Sequence, residues 1–85
     1  MPSQEVVYNL IDAELKPSHL TVEDFSDGCG SKFNCVIVSS QFEGKPLLER
    51  HRMVHSALGD TMGTIHALTL KTYTNEQFEK ISNKS

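Results

Sequence analysis

The run FNCVIVSS, residues 33–40, restricts the fold more than any other stretch of the chain. It is β-branched and apolar for long enough to make a buried strand. Just before it, HLTVEDF (19–25) alternates Leu20 and Val22 against Thr21 and Glu23, the period of a second strand. The short separation between the two predicts an antiparallel hairpin with a long, glycine-rich connection that holds Asp-Gly-Cys-Gly. Beyond it, TIHALTLKTY (64–73) alternates again, with Ile65, Ala67 and Thr69 on one face and His66, Leu68 and Leu70 on the other. Between the second and third strands, Gly44 and Pro46 break the extended pattern, and Leu48, Val54, Ala57, Leu58 and Met62 fall on roughly one side of a helix expected to end near Gly63. A helical connection favours a parallel, right-handed crossover.

Helices are expected at both ends. Val6, Val7, Leu10, Ile11 and Leu15 recur at three- and four-residue steps behind Ser3 as N-cap and Glu5 in the first turn. That helix stops at Lys16, because Pro17 disfavours helical backbone in the residue before it. Thr74 and Gln77 form a capping-box pattern that starts a short last helix with Phe78 and Ile81. The expected order is α-β-β-α-β-α: an α+β single domain over 1–85, with a three-stranded mixed sheet packed by helices. At 85 residues and 38% hydrophobic, one core is just sufficient.

The formal charge of −3 argues against a protein whose main affinity comes from neutralising phosphates. The longest apolar runs are too short to span a bilayer. The first residues lack a basic stretch ahead of an apolar core, and Glu5, Asp12 and Glu14 stand where a mitochondrial presequence avoids acids. The expected location is the cytosol, with access to the nucleus. In a reducing compartment Cys29 and Cys35 are read as thiols, and their spacing fits no zinc ribbon or finger.

Cys29 lies between glycines in a polar loop, where it is either an accessible ligand or a spare thiol. Cys35 is in register with Phe33 and Ile37 and packs as a small hydrophobe. Of four histidines, His19 and His55 read as surface groups, and His51 stands between Arg50 and Arg52. His66 shares a face with Leu68 and Leu70 near a strand's start, a setting more often filled by a hydrogen-bonded structural histidine than by a ligand. Cys29 and His66 together make two ligands, whereas a closed zinc site or a 2Fe-2S cluster needs four. Lys45, Arg50, His51, Arg52 and His55 form a basic patch that suits an acidic protein surface, a phosphate backbone or plain solvent. No catalytic carboxylate pair, Ser-His-Asp arrangement or phosphate loop is present, so an enzyme is not expected.

QFEGKPLLERHRMVHSAL followed by IHALTLKTYT resembles the BolA-like family, and closely its cytosolic and nuclear branch. The likeness runs from the first helix to Phe78. It implies an α-β-β-α-β-α fold of the class II KH type. It also implies a heterodimer with a monothiol glutaredoxin that holds a bridging 2Fe-2S cluster for iron-sulfur trafficking or iron sensing. The family's ligand positions on this side of the cluster match His66 in IHAL and Cys29 in GCGSKF, with the glutaredoxin cysteine and a bound glutathione supplying the other two. The family's RHR motif, here Arg50, His51 and Arg52, would then face the glutaredoxin, with Lys45 beside it. Some relatives are transcriptional regulators, but this chain has no GxxG loop and a negative net charge, which puts nucleic-acid binding second.

Overall fold

The computed structural model describes residues 3–26 and 30–82. Helix α1 spans Gln4–Leu15, β1 His19–Asp24, β2 Lys32–Val38, α2 Leu47–Leu58, β3 Ala67–Tyr73 and α3 Asn75–Ser82, with 3-10 turns at Ser40–Phe42 and Gly59–Thr64. The sheet order is β1-β2-β3. β1 runs antiparallel to β2, and β3 parallel to it through the α2 crossover. Every expected element is present, and the sheet is mixed as expected.

Local chemistry sets the ends. Ser3 Oγ accepts from the Val6 N–H at 3.2 Å, and α1 closes where Lys16, ahead of Pro17, takes a left-handed φ of 45°. At the other terminus the capping box is reciprocal: Gln77 N–H donates to Thr74 Oγ1 at 3.2 Å, and Gln77 Oε1 accepts from Thr74 N–H at 3.0 Å.

The register aligns one apolar row across the sheet, Val22 beside Cys35 beside Leu70, with Phe33 beside Leu68 and Leu20 beside Ile37. Val7, Ile11 and Leu15 of α1 and Val54 and Leu58 of α2 close over this face. Each large side chain fully buried there contributes about 1.5–3 kcal/mol. Buried Ser39 joins the layers, donating from Oγ to the Leu15 carbonyl at 2.8 Å and accepting from Gln41 N–H at 3.1 Å. The other sheet face carries Thr21, Glu23, Asn34, Thr69 and Lys71, and α3 reaches over one end of it, with Phe78 stacked on His19 at 4.7 Å. Among the described residues no helix is long and apolar enough to cross a membrane.

Three expectations are corrected. Helix α2 ends at Leu58 rather than near Gly63, because Gly59 takes φ 55° and ψ −131°, outside the helical region, and residues 59–64 tighten into a 3-10 turn. Leu48 is 63% exposed, because at 100° per residue it stands about 120° round the helix from buried Val54. The third strand starts at Ala67, so Ile65 and His66 belong to its approach.

Candidate functional site

At the end of the sheet where β3 begins, the last residues of the β1–β2 connection form a seat for His66. Ser31, almost fully buried, presents its carbonyl to two successive amides, His66 N–H at 2.8 Å and Ala67 N–H at 3.2 Å. Gly30 takes φ +135°, and a Cβ added there would stand 3.0 Å from His66 Cβ and 3.3 Å from its Cγ. The backbone of the loop therefore lies directly against the histidine. The imidazole itself is exposed and makes no hydrogen bond among the described residues. It is exposed rather than in the core where its place in the alternation suggested, because it precedes the strand and the core does not extend over it. Cys29, covalently next to Gly30, lies outside the described residues. Among the described residues no three His, Cys, Asp or Glu side chains converge to hold a metal.

At the opposite end of β3, about 20 Å away at 3.3 Å per residue, the basic patch divides into distinct roles. Arg50 is a bracket: its Nε donates to the Lys45 carbonyl at 2.9 Å, and its Nη1 donates to the Thr72 carbonyl at 3.2 Å and to Gln77 Oε1 at 2.8 Å. The guanidinium also lies 5.8 Å from the centre of the Phe42 ring. One residue thus joins the start of α2, the end of β3 and the capping residue of α3. His51 is half-buried, and its Nε2 is buried without a hydrogen-bond partner among the described residues. Arg52 is exposed and meets Glu49 only at 3.9 Å. Lys45 is exposed and lines a groove of about 550 Å³ with Leu47, Arg50, Tyr73, Gln77, Lys80 and Ile81. The structure does not bring the patch and His66 together.

The profile described as BolA-like protein matches residues 11–77, most of the chain. This chain belongs to the BolA-like family. It is 50% identical to Protein BOLA2 of Arabidopsis thaliana over the whole of this chain and 92% of that one. It is 36% identical to the DNA-binding transcriptional regulator BolA of Escherichia coli, across 98% of this chain and 86% of that protein. A crystal structure of a bol-like protein from Babesia bovis superposes with a TM-score of 0.93 at 44% identity, covering 98% of this chain and 96% of that one. The α+β fold with its three-stranded mixed sheet is the one shared with solved BolA structures.

Within this BolA-like domain the second cysteine does no surface chemistry. Cys35 is fully buried in the central row, and burial pushes its thiol up to about 11 from 9.0. His19 is exposed, hydrogen-bonded through Nε2 to Thr21 Oγ1 at 3.1 Å and stacked on Phe78, and exposed His55 stands in the last turn of α2. Gly30 and Ser31 as the seat of His66, and Tyr73, Gln77, Lys80 and Ile81 as groove walls, were not singled out from the sequence. The only sequence signal for the seat was the glycine pair of the loop. The groove arises from two stretches far apart in the chain, residues 45–50 and 72–81, and left no local pattern.

Proposed function

We propose that this BolA-like chain is a non-catalytic partner of a monothiol glutaredoxin in iron-sulfur trafficking or iron sensing, in the cytosol and nucleus. His66 and Cys29 serve as its ligands to a shared 2Fe-2S cluster. The partner's cysteine and glutathione complete the set, as the ligand count requires. The observation that carries the reading is the exposed imidazole of His66, without a hydrogen-bond partner among the described residues and held by its backbone against Gly30, the residue next to Cys29. A histidine kept for structure is buried and hydrogen-bonded; one open to an external ligand has its ring exposed, with a nitrogen available to it. His66 has the second set of properties. The residues present fit a half-site, with no third ligand among those described.

The test is the visible absorption and circular dichroism of the chain mixed anaerobically with a monothiol glutaredoxin, glutathione, ferrous iron and sulfide. A cluster spectrum distinct from that of the glutaredoxin alone, and altered in both Cys29→Ser and His66→Ala, supports the reading. A spectrum identical to the glutaredoxin alone removes it. A second reading, a nucleic-acid-binding regulator, draws on the name of the E. coli relative. The net charge of −3 weighs against it. A mobility shift that stays unsaturated at physiological salt would dismiss it.

A further inference from the structure

The end of β3 remote from His66 combines two features that the cluster reading does not use. First, β3 is an edge strand. Ala67 N–H donates to Ser31 and the Tyr73 carbonyl accepts from Ser39 N–H, so the odd-numbered residues direct their backbone groups toward β2 and its ends. The peptide groups of Leu68, Leu70 and Thr72 therefore face away from the sheet. Arg50 takes the Thr72 carbonyl; among the described residues nothing pairs with those of Leu68 and Leu70 on that side. Second, the edge leads into the groove, where Leu47 and Ile81 are 60% and 48% exposed beside Tyr73. Its charged lining residues, Lys45, Arg50 and Lys80, are all cations in a chain of net charge −3. Pro46, the N-cap of α2, has no side chain to bond the first-turn amides, which adds donors at the same place.

We propose that the β3 edge and this groove take an extended, acidic segment of a partner protein. The segment adds a fourth strand through Leu68 and Leu70, lays an apolar side chain between Leu47 and Ile81, and sets its carboxylates beside Lys45 and Lys80. The opposite edge does not suit such a segment. On β1 the Asp24 N–H is taken by Gln4 Oε1 at 3.2 Å, and Glu23 and Asp24 stand beside it with like charge. A polyphosphate chain fits the groove less well than a peptide, because it has no strand to offer the edge. Lys80 meets Glu76 at 3.4 Å with both side chains about three-quarters exposed, so the pair is weak and a better-placed carboxylate displaces it. The proposal does not depend on the cluster, and its test contains no metal.

The probes are two peptides of about nine residues, long enough to span β3. Both alternate Thr and Val around one Leu; one ends in Glu-Glu, the other in Lys-Lys. Each is titrated into the 15N-labelled chain and into the Lys45→Glu, Lys80→Glu double variant, after the variant's melting temperature has been matched to that of the parent. The expected result is that the acidic peptide moves the Leu68, Leu70 and Ile81 amides and slows Leu68 and Leu70 hydrogen exchange. It should bind about tenfold more tightly than the basic peptide, with the order reversed in the double variant. The preference in the parent chain is decisive even if the variant fails to fold. No shift up to about 1 mM peptide, equal response to both peptides, or shifts on the β1 edge would overturn the proposal. So would a thymidine oligonucleotide that outcompetes the acidic peptide, or the same amides moving when the chain alone is concentrated, which would assign the edge to a second copy.

Discussion

Where β3 ends, one guanidinium closes the structure, with Arg50 hydrogen-bonded to Lys45, Thr72 and Gln77. Where β3 begins, the chain fixes a backbone and leaves the side chain exposed: Ser31 holds the amides of His66 and Ala67, and the imidazole faces solvent. Both ends carry a basic side chain from the same conspicuous stretch of sequence, and both look functional in one dimension. The difference lies in where their polar atoms go. Arg50 satisfies the molecule's own carbonyls, so its loss should appear in stability. The His66 ring satisfies no group among the described residues, so its loss should appear chiefly in what the molecule meets.

Arg50→Ala is the strongest way to break this contrast. Removing a charged donor from three acceptors is expected to cost about 2 kcal/mol, or about 8–16 °C in melting temperature for a domain of this size. Arg50→Lys should recover little, because an ammonium cannot reach Thr72, Gln77 and Lys45 from one plane. A thermal melt unchanged by both substitutions would show that the bracket contributes nothing to stability. A smaller effect is expected at the turn that leads from α2 toward His66. Gly59→Ala places a Cβ in open space but at φ 55° and ψ −131°, a region for glycine alone, and should cost about 1–2 kcal/mol. Gly63→Ala, also facing open space and without a positive φ, should stay within about 0.5 kcal/mol. The pair of denaturant midpoints distinguishes a helix that stops at Gly59 from one that runs to Gly63.

Gly59 also marks where sequence reasoning ran out. Elements with local causes were legible: Ser3 and Pro17 around α1, the alternation of β1 and β2, and Thr74 with Gln77 at α3. The stop of α2 was misplaced because two glycines compete for it, and the choice is made by backbone angles that neither residue type reveals. The exposure of His66 was hidden for a related reason. Alternation put it in line with Leu68 and Leu70, and only the late start of β3 at Ala67 takes it off the core. Arg50 sat in a recognisable RHR string, but two of its three acceptors lie 22 and 27 residues further along the chain. The likeness to the BolA-like family carried the fold, whereas the division of labour within the basic patch needed three dimensions.

Cys35 supplies a third comparison, within the sheet. Its thiol is held above its ordinary value by burial, to about 11 from 9.0. The folded state thus keeps a proton that the unfolded chain releases, and folding stability should fall as pH rises from about 9 toward 11. Below pH 9 both states hold the proton, and this thiol should add no pH dependence. Cys35→Ala should remove that alkaline slope, at the cost of a small cavity in the central row. Iodoacetamide at neutral pH should leave Cys35 unmodified in the folded chain and label it in urea. Labelling at the same rate in both would contradict its place in the core.

The smallest expected effect on stability belongs to His66→Ala, and it is the one that tests the comparison most sharply. The substitution keeps the backbone amide that Ser31 holds and removes only a solvent-exposed ring, so the midpoint should move by less than about 0.5 kcal/mol. If His66 is a ligand, the same variant must still change the visible circular dichroism of the complex formed with glutaredoxin, iron, sulfide and glutathione. Cys35→Ala provides the reverse control: Cys35 is fully buried, so the variant, measured well below its melting temperature, should leave the cluster spectrum intact while lowering stability. Should His66→Ala unfold the chain, its ring has an internal role and the contrast between the two ends of β3 collapses. Should it fold normally and leave the spectrum unchanged, the free imidazole serves some other partner, and the cluster reading fails while the fold argument stands.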